Sequence, residues 1–167
     1  MKKNFVTTIY GPNFPGIIKA LAQATRALGG EWVGSKVIKA DGQFAGIMNV
    51  VVATDQEKSL KAGLEEKFSS LRFIYSTPFN SFQEGTKTIH LLVDCIDRAG
   101  LTGDLSNILS NLDIHVVNME SKRYAMDGIG DMVFSAKLTL EVSETTDSEV
   151  IAGEIEALSE DVRVNVI

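Results

Sequence analysis

Two short stretches carry the residue types best suited to holding a small charged molecule. The first is Gly11-Pro12-Asn13-Phe14-Pro15-Gly16-Ile17; the second is Asp94-Cys95-Ile96-Asp97-Arg98-Ala99-Gly100-Leu101. Each ends in a glycine followed by an apolar residue that opens a helical pattern. The first turn of a helix offers unpaired N–H groups and a positive dipole end, which together favour a carboxylate. A glycine there lets a ligand approach the backbone closely. Asn13 and Asp97, three residues earlier, carry oxygens that can accept hydrogen bonds from an ammonium group. One loop could thus hold both ends of an amino acid. Asn and Asp are also favoured N-caps, so both residues suit plain helix capping, and the two roles can coexist.

Catalytic chemistry is poorly supplied elsewhere. No Ser-His-Asp, Cys-His or paired acid–base set stands out. The single cysteine, Cys95, excludes an intramolecular disulfide and reads as a small buried hydrophobe. His90 and His115 both fall in expected strands. A small acylphosphatase-like hydrolase would need an arginine in an anion-cradling loop and an asparagine to orient water. Arg98 stands in the right loop of the second stretch, but Phe14 takes its place in the first. The expectation is a protein that is not an enzyme and needs neither cofactor nor metal.

Composition narrows the partners. Of 167 residues, 44% are apolar and 23% charged, an ordinary globular balance, and the formal net charge is −6. An acidic chain lacks the basic footprint that phosphate-backbone binding needs. An RNA-binding sheet would need stacking aromatics, and the expected third strands offer only Phe44 and Phe134. The longest apolar stretch, near Ile47 to Ala53, is far short of a membrane span. No targeting signal is visible. A cytoplasmic protein without nucleic-acid or membrane contact is expected.

The elements that must position the two loops repeat. At an offset of 84 residues, Gly16-Ile17 pairs with Gly100-Leu101, Leu21 with Leu105, Ala24 with Ile108, Leu28 with Leu112, Val33 with Val117 and Met48 with Met132. Apolar spacings of 4, 7 and 11 describe one helical face. Met132, Phe134, Ala136, Leu138 and Leu140 alternate with Val133, Ser135, Lys137, Thr139 and Glu141, as in a sheet with one buried face. Thr54 with Glu57, and Thr146 with Glu149, have capping-box spacing before the second helix of each copy. There the offset has grown to about 91, which places roughly seven extra residues between the third strand and second helix of the second copy. Asp41-Gly42 and Asp127-Gly128 suit hairpin turns, and Gly29-Gly30 suits a helix C-terminus.

Each copy therefore reads strand, helix, strand, strand, helix, strand. The expected elements are 4–10, 16–28, 32–40, 43–53, 55–70 and 71–77, then 87–95, 100–112, 114–125, 130–142, 147–160 and 162–167. The expected fold is α+β: two ferredoxin-like βαββαβ units, each an antiparallel four-stranded sheet with two helices on one face. The domains are 1–77 and 86–167, with a linker at 78–85, and the two sheets could join side by side.

On these residues the sequence resembles the ACT domain family, whose first helix follows an Asp-Arg-x-Gly-Leu/Ile-like turn. Asp97-Arg98-Ala99-Gly100-Leu101 matches in full; Asn13-Phe14-Pro15-Gly16-Ile17 matches at Gly16 and Ile17, conservatively at Asn13, and departs at Phe14. The strand Ile114-His115-Val116-Val117-Asn118-Met119-Glu120-Ser121 looks like that family's second ligand-facing segment, where the first unit has Gly34-Ser35. The resemblance implies ligand contacts from Asp97, Arg98, Ala99, Gly100 and Leu101 with Asn118, Met119 and Glu120, and from Asn13, Phe14, Pro15, Gly16 and Ile17 with Gly34 and Ser35. Such ligands sit between two units. A chain of two such units without a catalytic domain is similar to the glycine cleavage system transcriptional repressor group. That similarity implies bacterial origin, a small amino-acid effector such as glycine or serine, and action on a protein partner such as a transcriptional activator, with a homodimer possible. A ligand-free interaction module that pairs sheets is the competing expectation.

Overall fold

The structure, a computed structural model, describes residues 1–79, 85–128 and 130–167. The chain divides into two compact units, Met1–Ser81 and Phe82–Ile167. The expected linker 78–85 lies mostly outside the described residues.

The first unit runs β1 (Lys2–Pro12), α1 (Ile17–Ala27), β2 (Glu31–Ala40), β3 (Gln43–Ala53), α2 (Glu57–Lys67) and β4 (Arg72–Ser76). The second runs β5 (Thr86–Ile96), α3 (Leu101–Asn111), β6 (His115–Ala125), β7 (Met132–Ser143), α4 (Ser148–Glu156) and β8 (Arg163–Val166). The sheets have strand orders β2-β3-β1-β4 and β6-β7-β5-β8, antiparallel throughout. This is the expected βαββαβ order, twice.

Each unit has its own core, built where the helix stripe meets the inward residues of the central strands. In the first unit Ile17, Leu21 and Ala24 of α1 pack with Phe5, Ile9, Phe44, Met48, Val50, Leu60 and Leu64. In the second, Leu101, Leu105 and Leu109 of α3 pack with Leu91, Val93, Phe134, Leu138, Leu140, Ile151 and Ile155. The buried stripe of α3 is rotated from the expected one: Leu109 is buried, Ile108 only partly, and Leu112 is exposed. Cys95 is a buried free thiol of this core, raised in pKa chiefly by its burial.

The pairing registers relocate the extra residues. Lys2 faces Ala53 while Thr86 faces Ser143, and Trp32 faces Val50 while Val116 faces Leu140. The offset is thus 84 for β2 to β6 but 90 for β3 to β7. Met48 corresponds to Leu138, not Met132. Six of the seven added residues lie in the β6–β7 hairpin: Ala125 and Met132 add one strand pair, and the connection 126–131 stands where the first unit has only Asp41-Gly42. They do not lie after the third strand. Both first-unit turn residues have positive φ, 49° and 74°, as a two-residue hairpin requires.

The expected capping boxes are not formed. Thr54 donates its hydroxyl to the Met1 carbonyl, Gln56 occupies the N-cap of α2 without a side-chain bond, and Glu57 instead accepts from Lys3 and Lys61. Those two ammonium groups hold the Glu57 carboxyl below its ordinary value. At α4 the cap is Asp147, whose Oδ1 accepts from the Glu149 N–H, so Thr146 is displaced by its neighbour. An acceptor one residue closer to the helix reaches the free amides first.

Both first helices end alike. In α1 the Gly30 N–H reaches the Thr25 carbonyl and the Gly29 N–H the Arg26 carbonyl; in α3 Ile114 reaches Leu109 and Asp113 reaches Ser110. This paired closure needs a left-handed residue after the cap. Gly29 supplies it at φ 86°, Asp113 at φ 58°.

Candidate functional site

The two helix-start loops share one backbone design. Each begins by bonding to the hairpin beside it, Asn13 N–H to Gly42 O (2.9 Å) and Asp97 N–H to Met132 O (2.7 Å). Each ends at a left-handed glycine, Gly16 at φ 78° and Gly100 at φ 89°. A Cβ at either glycine would meet nothing within 4 Å. These glycines are therefore demanded by backbone conformation, not by packing, and the space above them is open.

No side chain caps α1 or α3. The capping role open to Asn13 and Asp97 is thus not the one they play. Asn13 is partly buried, and its Oδ1 is buried without a hydrogen-bond partner. Asp97 Oδ1 accepts from Arg123 Nε at 2.9 Å. The first-turn amides and the loop oxygens remain separate resources, as a ligand with two charged ends would need.

The other loop residues divide by exposure. Ile17 and Leu101 bury their side chains in the two cores, so they can offer only backbone. Phe14, Pro15, Arg98 and Ala99 are exposed. Arg98 Nη1 lies 2.9 Å from Asp104 Oδ2 in the first turn of α3, which places a guanidinium–carboxylate pair across the helix start.

The strand segments lie elsewhere. Gly34 and Asn118 each follow a register shift in the ladder, between Trp32 and Gly34 and between Val116 and Asn118, so Val33 and Val117 form equivalent bulges. Asn118 donates to Glu120 Oε1 at 3.2 Å. Met119 packs against the core. Ser35 faces Met48 across the ladder, on the helix-covered side, and Gly34 faces Asn49 on the other. Within one unit the two halves do not meet. Arg123, which touches Asp97, lies five residues from Asn118, about 16 Å along an extended strand. The Asn13 loop bonds Gly42, two residues past the end of β2 and about 26 Å along the chain from Gly34 at strand rise.

Three residues at the second loop escaped the sequence reading: Arg123, Asp104 and Asp161. The Arg123 guanidinium also lies 5.1 Å from the Phe134 ring centroid. Asp161 accepts from the Ser159 hydroxyl and from the Ile96 N–H at the end of β5, and these bonds hold its carboxyl below the usual range. Among the described residues no cluster of three or more His, Cys, Asp or Glu could hold a metal ion, and no helix is long and apolar enough to cross a membrane.

Residues 3–76 match the ACT domain family. The first unit matches that family, and the second repeats its fold element by element, so the chain is a tandem of two ferredoxin-like units. Two crystal structures share the fold over the whole chain. One, of an unknown protein from Galdieria sulphuraria, has a TM-score of 0.83 at 16% identity, covering 100% of this chain and 99% of that one. The other, provisionally named a glycine cleavage system transcriptional repressor, has a TM-score of 0.72 at 15% identity, covering 100% and 98%. No curated protein matches the sequence.

Proposed function

We propose that this protein is a non-catalytic regulator that binds a small amino acid and passes that state to a protein partner. The observation that carries the reading is the duplicated loop: an uncapped helix N-terminus behind a left-handed glycine, with a side-chain oxygen three residues before it, at the same place in both units. The helix end suits the ligand carboxylate and Asp97 or Asn13 its ammonium group. The match of the first unit to the ACT domain family supports the same reading.

The separation of loop and strand segment within a unit means that Asp97–Leu101 would be completed by a strand segment such as Asn118–Glu120 of a second copy of the chain. One fold relative carries the name of a glycine cleavage system transcriptional repressor; with that likeness in view, glycine or serine is the effector proposed and a transcriptional activator the partner proposed. In the hydrolase alternative Arg98 would have to leave Asp104 to cradle an anion, and a turnover of acyl phosphates unchanged in Arg98→Ala would remove that reading.

A thermal-shift screen against the common amino acids tests this. A ligand at 100 times its dissociation constant adds about 2.7 kcal/mol. For a cooperative chain of this size the midpoint rises by about 5–10 °C. The rise should vanish in Asp97→Ala while the far-ultraviolet spectrum is unchanged. A chain that no amino acid shifts is instead the ligand-free interaction module.

A further inference from the structure

The helix-free face of the second sheet carries a cleft unrelated to the helix-start loops. It has a volume of about 550 Å³ and is walled by Leu92, Asp94, Glu120, Lys122, Ser135 and Lys137, with Tyr124 at one end. The register explains its shape. Glu120, Lys137 and Leu92 form one cross-strand row; Lys122, Ser135 and Asp94 form the next. Ser135 is short and 7% exposed, so it makes a floor among long side chains.

The charges of this cleft are not spent on one another. Among the described residues, Lys122, Lys137, Asp94 and Glu120 form no ion pair within 4.0 Å. Two ammonium groups and two carboxylates thus stand around an apolar and hydroxyl-bearing floor. Neighbouring strands are about 4.8 Å apart and alternate residues about 7 Å apart, so opposite charges lie within side-chain reach of one small molecule. The corresponding face of the first unit places Thr8, Tyr10, Lys36, Ile38, Ala45 and Ile47 at the equivalent ladder positions, one charged residue where the second unit has four, and Tyr10, Ile38 and Ile47 are exposed apolar residues. The ionic cleft is a property of the second unit alone, not of the fold.

We propose that this cleft is a second binding site, for a zwitterionic molecule of short-peptide size. The carboxylate sits between Lys122 and Lys137 above the Ser135 hydroxyl, and the ammonium group faces Asp94 or Glu120. The volume falls in the range of small-molecule sites and far exceeds what a single glycine fills. Leu92 and Tyr124 supply apolar walls for side chains. The proposal stands independently of the helix-start reading; the two share only Glu120, which the test leaves untouched.

The test is an amide-resolved NMR titration of the full chain with trialanine, N-acetyl-trialanine, trialanine amide and alanine. Trialanine should shift the amides of Leu92, Asp94, Ser135 and Lys137, and each blocked form should bind at least about tenfold more weakly, as expected for one lost charge-assisted contact. Lys137→Met and Asp94→Asn should each cost a similar factor, Lys137→Arg should restore most of it, and the spectra themselves report the fold. Alanine binding as tightly as trialanine would keep the site and assign it to free amino acids. Equal binding of free and blocked peptides, no shift at millimolar concentration, or shifts confined to residues 97–101 would each overturn it.

Discussion

The helix-start loops of the two units have one backbone and two electrostatic characters. The second is tied down by Asp97–Arg123 and Arg98–Asp104, both exposed pairs at 2.9 Å. The first has Asn13 and Phe14 in place of Asp97 and Arg98, and its carboxamide oxygen is buried without a partner. The backbone is what the fold imposes; the charge is what each copy has been given separately. A ligand with a full ammonium charge gains more from Asp97 than from Asn13, because hydrogen bonds to ionised groups are the stronger ones. On the proposed function the second loop is therefore the better site for an amino acid, although its carboxylate must first leave Arg123.

The sharpest test of a shared backbone is a swap at the helix ends. Gly29→Ala forces a left-handed alanine whose Cβ meets Gln56 Oε1, and should cost about 2 kcal/mol in urea unfolding. At the equivalent position of the second unit, Asp113→Gly should act the other way, by less than about 1 kcal/mol. Next, Gly16→Ala and Gly100→Ala should each lose about 1–2 kcal/mol, and by nearly equal amounts, since neither meets a neighbour and only backbone strain is at stake. Unequal losses would break the equivalence of the loops.

Smaller effects separate the units. Arg123→Met should cost under about 1 kcal/mol, because exposed ion pairs contribute little, and the loss should shrink further in high salt. No such salt dependence should follow Lys39→Met at the matching position of the first unit. Smallest is the acid limb of stability. Glu57 and Asp161 have carboxyl pKa values lowered in the folded state, so both stabilise it above the unfolded carboxylate range near about 4. That contribution is lost as pH falls through their lowered values. Glu57→Gln should flatten this limb in the first unit and Asp161→Asn in the second, each read by acid titration of the unfolding midpoint.

Element order was legible because helical and strand periods differ and each was clean over ten residues or so. Register was not, for a reason built into strands. The true offset of β7 exceeds the inferred one by six, an even number, and an even slip leaves every residue on its original face. Met132 could stand in for Leu138 without disturbing the alternation, and only pairing with β5 and β6 tells them apart. The caps failed differently: Thr146 and Asp147 both suit the role, and the choice depends on which reaches the amides. Arg123 was invisible because its partner Asp97 is 26 residues away and nothing local couples them. Gly16 and Gly100, by contrast, announced themselves, because a left-handed turn before a helix admits few other residues.

The bulges at Val33 and Val117 have a consequence for how this protein survives in a crowded solution. Both β2 and β6 are long strands at the margin of their sheets, and a long flat margin invites any stray strand to add to it. The extra residue breaks each margin into two runs that are out of step, so an incoming regular strand can follow one run and not the other. Only a partner with a matching irregularity can dock along the full length. The same kink that displaces a side chain thus acts as a password against fibre growth, and deleting Val33 or Val117 should make the protein more prone to aggregate.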